Sequence, residues 1–516
     1  MKHFLSIVLG CMCTSFTFGQ GYYDVTKYGA ANDSSKLATK AIETAIQTAS
    51  QKGGGTIYFP AGKYLTGPIH LQSNITILID AGAELHFSDN FEDYLPMVPS
   101  RWEGTTVNNF SPLFYAYKAS NITITGRGII DGHGQKWWNY SEGFDDTKPK
   151  TKLEKTFFAN NKNVLAPPDS KWFTRGFLRP PFIQPMYCEN VLVEGITIRN
   201  SPFWTVNPEF CKNVTVRSVT INNPKSPNTD GINPESCSYV HISDCHISVG
   251  DDCITIKSGK DEDGRKQAAP AEDYTITNCT MLSGHGGVVI GSEMSGGVKN
   301  IAISNCVFDG TDRGIRIKSM RGRGGVVENV RVDNIIMRNI RDQAFVLDLR
   351  YGKSDLEPVS ERTPIFRNIH ISNVTGETNQ AGFINGLEEM PVSDVSFRDI
   401  HLKAKSGFDI RYARNIELNA VSLSDNDGTA IKLDNVSNME MQGVKILSKQ
   451  NSAYIVDAKN VDGLYIGATR LPKDTKNFLH VSGGQSNNIV LNGNDFNAVQ
   501  QVYTKDQDVK ANVLVK

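Results

Sequence analysis

One short pattern recurs along most of the chain, and it limits the fold more than any other feature. The segments CENVLVEGITIRN, CKNVTVRSVTINN, SYVHISDCHISVG, EDYTITNCTMLSG, KNIAISNCVFDG, ENVRVDNIIMRN, RNIHISNVTGE, SDVSFRDIHLK, RNIELNAVSLS and SNMEMQGVKIL follow one another in order. SNITILIDAGAELHF and SNITITGRGIIDG extend the series toward the start. Asn190 and Asn213, and again Asn415 and Asn438, stand 23 residues apart. Each unit offers two or three short alternating strands split by Gly, Asn or Asp turns, too little to bury a core alone, so units must stack on their neighbours. The expected fold is all-β, a single right-handed parallel β-helix, with loops inserted wherever the spacing lengthens.

The ends and the cysteines follow from the repeat. In SSKLATKAIETAIQTASQKGGG, residues Leu37, Ala38, Ala41, Ile42, Ala45 and Ile46 fall at helical spacing behind Ser34 and Ser35 as caps, which predicts a short helix over the open end of the stack. Cys245, Cys279 and Cys306 share a column that is apolar in every other unit, and Cys188, Cys211 and Cys237 form a second column. This favours buried thiols used as small hydrophobes over a disulfide framework or a metal site. The first 20 residues, one Lys, a short apolar run and then small polar residues, have the layout of a secretory signal peptide. The expected organisation is therefore a signal at 1–20 and a β-helix at 21–516, with export to the periplasm or beyond. Leu9-Gly10-Cys11 offers the alternative of a lipoprotein cleavage box.

Lys and Arg number 54 against 55 Asp and Glu, a net charge of -1, so nothing global attracts nucleic acid or an anionic membrane. No run after the leader is long enough to span a bilayer. A monomer without a membrane span is expected, and any anionic partner must be met by a local cluster.

Such a cluster exists. VGDDCITIKSG puts Asp251 beside Asp252 at the start of a strand. Aligning units on Ser236, Ser258, Ser292 and Ser319 stacks Ile232, Ile254, Val288 and Ile315 inward, sets Asp252 over Asp230, and sets Asp251 beside His285. Two stacked buried carboxylates would be prohibitive, so a bend at Gly231 and Gly250 is expected to turn Asp230, Asp251 and Asp252 into one groove on the outer face. Crowded carboxylates cannot all ionise freely, and one retains its proton. That division supplies the acid and the base of a glycosidase, with His285 to tune or relay the proton. Lys257, Arg316 and Lys318 project from the same face, and Arg313, Arg321 and Arg323 lie close in sequence, which implies a carboxylated ligand. Taken singly, Asp230 would serve equally well in an Asx-turn, the carboxylates would suit Ca²⁺, and the cations would suit a solvated face.

At these residues the chain resembles the polygalacturonases, family 28 of the glycoside hydrolases: NTD at 228–230, GDD at 250–252, GHG at 284–286 and RIK at 316–318 occur in order. The resemblance implies inverting hydrolysis of α-1,4 bonds between galacturonic acid residues of pectin, without cofactor or metal. It implies Asp251 as general acid, Asp230 and Asp252 as activators of water, His285 beside the acid, and Arg316, Lys318 and Tyr351 around the substrate carboxylate. Asn207 stands where many relatives have His. Relatives specialised for rhamnogalacturonan usually alter GDD, GHG or RIK, and none is altered here.

Two insertions bear on how the polymer is cut. Residues 133–180 carry Trp137, Trp138, Trp172, Phe173 and Arg175, and residues 259–272 form a charged loop after the aspartate pair. If they wall off one end of the groove, the enzyme attacks chain ends and releases monomer. The alternatives are an endo-polygalacturonase, a hydrolase of decorated pectin such as rhamnogalacturonan or xylogalacturonan, a Ca²⁺-dependent pectate lyase, and a non-catalytic polysaccharide-binding β-helix.

Overall fold

The computed structural model describes residues 21–142, 151–162, 164, 178–223, 226–425, 427–448, 451–473, 475–497, 499–510 and 512–516. In it the repeated units lie on one another as rungs. Strand Lys212–Arg217 pairs in parallel with Glu189–Glu194 on one side and Ser238–Ser243 on the other, which places Val191, Val214 and Val240 in one inward column. The same pattern joins 30 strands, from Gly21–Asp24 to Val513–Val515, into a continuous right-handed parallel β-helix. The expected export signal at 1–20 lies outside the described residues, as do Trp172, Phe173 and Arg175.

The asparagine that opens many units has two jobs. Asn74, Asn121, Asn190 and Asn213 all take left-handed backbone angles, φ 63, 59, 59 and 58°, a conformation Asn tolerates better than most residues. Their side chains also bond from rung to rung, Asn121 to Asn74, Asn190 to Asn121 and Asn213 to Asn190, at 2.7–2.9 Å. Both cysteine columns are buried and unbridged. Within one of them the Cys188 and Cys211 amides donate to the sulfur of the next cysteine along, Cys211 and Cys237.

Helix α1 (Thr39–Gln51) covers the first rung with Ala41, Ile42, Ala45, Ile46 and Ala49 buried. The expected caps are not used: Ser34 and Ser35 belong to strand Asp33–Leu37, Leu37 is exposed, and the N-cap is Ala38 without a side-chain bond. Thr39 instead accepts from the Gly67 amide at 2.7 Å, tying the helix to the rung.

The insertions roof one face. An antiparallel hairpin, Val98–Trp102 with Thr105–Asn109, lies over the solenoid together with α2 (Gln135–Glu142), α3 (Lys152–Asn160) and α4 (Asp261–Gln267). Arg101 of the hairpin holds the roof down from inside, bonding Glu235 at 2.7 Å, Asp263 at 2.9 Å and Glu209 at 3.3 Å. Asn161, just past α3, is tied to Asn108 of the hairpin by two 2.8 Å bonds. Trp137 is not available to a sugar. It is wholly buried against Phe91, Tyr94 and Phe110, and Trp138 donates to the Ser201 carbonyl.

Candidate active site

Ile232, Ile254, Val288 and Ile315 stack inward in the register expected from the serines. The rungs close on each other at the aspartates: the Gly231 amide donates to the Asp252 carbonyl at 3.0 Å and the His285 amide to the Asp251 carbonyl at 2.8 Å. Carboxylate oxygens of Asp230, Asp251 and Asp252 come within 4.8 Å of one another. The two glycines serve close approach. A Cβ on Gly231 would lie 2.4 Å from the Cys253 carbonyl oxygen, and one on Gly250 would lie 2.1 Å from that of Ser226.

The three carboxylates have distinct surroundings. Asp230, 3% exposed, accepts from Asn233 at 2.9 Å and Thr255 at 3.3 Å. Burial, with Asp251 and Asp252 adding repulsion, pushes its carboxyl well above the usual range, which favours its protonated form. Asp252, 1% exposed, accepts from the Lys318 ammonium at 2.8 Å, while its Oδ1 has no hydrogen-bond partner among the described residues and lies 3.9 Å from the Arg316 guanidinium. Asp251 is more open and accepts from the Asp252 amide at 2.9 Å. It also faces His285 Nδ1 at 3.1 Å. Burial opposes its charge, but His285, Lys318 and Lys257 outweigh burial and hold it below the ordinary carboxylate range. The same contact raises His285, against its own partial burial.

Cations close the hollow on one side. Arg316 and Lys318 lie under the exposed Tyr351 ring, 5.5 and 5.2 Å from its centroid. Lys257 differs from the expectation of an outward, ligand-facing cation. It is 3% exposed, bonded to Glu293 at 2.7 Å and 4.4 Å from the centre of the Trp204 ring. Burial disfavours its charge, yet Glu293, Asp230 and Asp252 raise it above an ordinary lysine, and Glu293 in turn is held well below the carboxylate range because Lys257, Arg323 and Lys260 outweigh its burial. The other arginines are engaged elsewhere: Arg313 with Asp342, Arg321 with Glu388 and Glu389, and Arg323 with Asp261.

The expected outward groove is also partly covered: Asp230, Asp252, Asn233 and Thr255 are all buried, and the hairpin reaches the same outward column at Gln184, which accepts from Ser100 and donates to the Arg101 carbonyl. A chain of polar side chains under the roof was not read from sequence. Gln184 donates to Asn207 at 2.9 Å, Asn207 to the Asn233 carbonyl at 2.8 Å, and Asn233 to Asp230. Asn207 is thus a support for Asp230 rather than a groove residue. The one available signal was that Gln184, Asn207, Asn233 and Thr255 share the outward column of the site strand, which polar residues at consecutive rungs would mark.

The sequence profile described as glycosyl hydrolases family 28 matches residues 171–416, and that of rhamnogalacturonase A/epimerase, pectate lyase-like, matches 22–166. A probable polygalacturonase of Vitis vinifera is 31% identical over 73% of this chain and 74% of its own. An endo-polygalacturonase of Pectobacterium carotovorum subsp. carotovorum is 28% identical over 73% of this chain and 87% of its own. The crystal structure of a hyperthermoactive exopolygalacturonase from Thermotoga maritima superposes with a TM-score of 0.67 at 33% identity, covering 82% of this chain and 91% of that one. The rung register that gathers the aspartates and the extent of these likenesses lead to one conclusion: the chain belongs to family 28 of the glycosyl hydrolases.

Proposed function

We propose that this protein hydrolyses α-1,4-galacturonosidic bonds of polygalacturonate from chain ends. The observation that carries the hydrolysis is the meeting of three carboxylates from two rungs, within 4.8 Å, beside Arg316 and Lys318. The two cations bind the carboxylate of the sugar at the scissile bond, under Tyr351. Asp251, the most open of the three, donates the proton to the leaving oxygen. Asp230 and Asp252 share the nucleophilic water, to which Asp252 Oδ1 offers an unused acceptor. Two acceptors about 2.8 Å from one water stand about 4.5 Å apart, which fits the spacing of these oxygens. The oxygens lie closer than the ~6.5–9.5 Å common between the carboxyl groups of inverting enzymes, so inversion here rests on the water being held by a carboxylate pair. Lys257 remains behind the site and stabilises the charge of the pair. A bound Ca²⁺ at the corner would have to displace the Lys318 ammonium from Asp252, which favours hydrolysis over a Ca²⁺-dependent lyase.

Asp230 is raised and Asp251 lowered, so the free site favours a proton on Asp230, whereas the acid must carry it at the moment of cleavage. A uronate seated on Arg316 and Lys318 neutralises charge that keeps Asp251 ionised, and the coupled carboxylates then redistribute one proton toward Asp251.

Attack from chain ends is supported by the outward column of the site sheet. Gln184, Asn207, Asn233, Thr255 and Val289 are fully buried, and among the later rungs Val346 is nearly so, whereas Arg316, Phe383 and Asp409 are partly open and Lys432 is exposed. A polymer can leave along the later rungs but cannot continue past the earlier ones. Export, with residues 1–20 as its signal, belongs to the same reading. Product analysis on polygalacturonate tests it: monomer should accumulate while viscosity falls slowly, and proton NMR should show the inverted anomer first. Unsaturated products absorbing in the ultraviolet would identify a lyase, and a rapid loss of viscosity with little monomer would identify internal cutting.

A further inference from the structure

We propose that His86, Asp131 and His133 form a binding site for one divalent ion of the zinc class, on the rim of the solenoid and apart from the aspartate corner. Register carries the residues together. His86 pairs with Asp131 across adjacent rungs, Asp131 with Arg199, and the same line runs on through Asn222 to Ser248. Ser248 lies three residues before Asp251, so three rung steps, about 14 Å, separate Asp131 from the level of the aspartates.

The two imidazoles meet edge to edge. His86 Nδ1 stands 3.0 Å from His133 Nε2, with the rings tilted by 48° rather than stacked. The outer nitrogen of His86, Nε2, lies 3.1 Å from Glu84 Oε2. A carboxylate only accepts, so Nε2 carries the proton and Nδ1 turns a lone pair toward His133. A carboxylate behind an imidazole is the usual way a ligating histidine is oriented. His133 is fixed as firmly: it sits at φ 46° between Gly132 and Gly134, where a Cβ would lie 2.6 and 2.5 Å from the carbonyls of Asn200 and Ser201. Its amide donates to Asp131 Oδ1, whose side chain is further held by Asn200 and, through Oδ2, by Arg199.

The third donor, Asp131 Oδ1, is 3.8 Å from His133 Nε2, and ligand atoms of all three residues fall within 4.8 Å. Donors about 2.0–2.1 Å from a tetrahedral zinc stand about 3.3 Å apart, between the 3.0 and 3.8 Å found here. Asp131 and Glu84 are balanced by Arg199 and by Lys63, 3.9 Å from Glu84, so the two imidazoles and the carboxylate supply the donors without an excess positive charge to repel an ion. His86 and Asp131 are mostly covered while the His133 side chain is 43% exposed, so a fourth ligand reaches the ion from solvent. Two imidazoles and one carboxylate select zinc or a neighbouring transition ion over Ca²⁺ or Mg²⁺. The sequence reading expects no metal and does not single out His86 or His133, which stand 47 residues apart.

Titration calorimetry of untagged, chelator-treated protein with ZnCl₂, repeated with CaCl₂, tests the site. One zinc should bind per chain, with at least ten-fold weaker affinity in His133→Ala and in His86→Ala, roughly ten-fold weaker affinity in Glu84→Gln, and no comparable calcium signal. Asp251→Asn should bind zinc as the wild type does. His133 is half-exposed, so its variant should melt with the unmodified protein and report on the ligand alone. Absence of zinc binding, equal binding by the histidine variants, or loss of binding in Asp251→Asn with retention in His133→Ala would each overturn the assignment.

Discussion

Asp230 illustrates how a single residue serves activity at the expense of stability. Its carboxyl is raised well above the usual range by burial first and by Asp251 second, so the folded state holds a proton that the unfolded chain releases near pH 3.9. With the folded value raised, its contribution is fully present below that pH and is lost as the pH climbs toward the folded value. Asparagine mimics the protonated form and can still accept from Asn233 and Thr255. Asp230→Asn should therefore melt higher than the wild type at pH 7, with the gap closing below about pH 4, while hydrolysis is lost; thermal unfolding followed across pH 3–8 checks both the sign and the window. Asp251→Asn should behave differently. Removal of a general acid costs about 10²–10⁴-fold in kcat, and because Arg316 and Lys318 are untouched, KM should stay within a few-fold. Steady-state kinetics on trigalacturonate separates the two effects, and a variant that lost binding instead would remove Asp251 from the chemistry. The meeting of Asp230, Asp251 and Asp252 was readable from the serine register, because parallel rungs repeat one alignment. The burial of Asp230 and Asp252 was not, since it depends on side chains such as Asn233 and Thr255 on Asp230 and Lys318 on Asp252, which only the packed rungs bring in.

At the level of elements, the covering hairpin and α4 are fastened to the solenoid by a buried guanidinium. Arg101 answers Glu209, Glu235 and Asp263 together, and it also donates to the Gly104 carbonyl at 2.7 Å and lies 4.9 Å from the Phe210 ring centre. Burial, followed by Glu235, pushes Glu209 up even with Arg101 present, and burial raises Glu235 against the pull of Arg101. In Arg101→Met these carboxyls lose their counterion. They can then enter the fold only by taking up protons, so stability should fall as the pH rises above about 4.3. Breaking a buried pair from one side costs about 3–5 kcal/mol, and urea unfolding should show a larger loss at pH 8 than at pH 5. An equal loss at both values would mean that the residue acts through packing alone. The sequence offered Arg313, Arg316, Arg321 and Arg323 as one anionic-ligand cluster. Their partners Asp342, Glu388, Glu389 and Asp261 are contributed by other rungs and loops, so local spacing could not show that only Arg316, with Lys318, is left facing the aspartates. Lys257 was misread for the same reason, with Glu293 arriving from the next rung and Trp204 from two rungs before.

Across the whole molecule the backbone of each rung pairs only with the rungs beside it, and few side chains reach further, so stability is set locally and the ends are the exposed flanks of the structure. The repeat made the solenoid legible because strand, turn and asparagine recur together. It also made the end cap legible, as a helical period where the strand period stops, though not its cap residues, since Thr39 finds its partner at Gly67 only after folding. Helix α1 covers the first rung through Ala41, Ile42, Ala45, Ile46 and Ala49, and without it a row of unpaired strand edges and apolar side chains would face solvent. Ile46→Asp places a carboxylate at a position 2% exposed. Loss of the buried side chain alone costs about 2–5 kcal/mol, and burying a charge without a partner adds to it, so α1 should detach while later rungs hold. Because the aspartate corner lies several rungs from α1, kcat per folded molecule should match the wild type. The unfolding curve should broaden or acquire an early phase, and light scattering should show association end to end as concentration rises. If kcat instead fell in step with the loss of the helix, the two ends of the solenoid would be coupled through more than nearest-neighbour contacts, and the additive picture of its rungs would have to be abandoned.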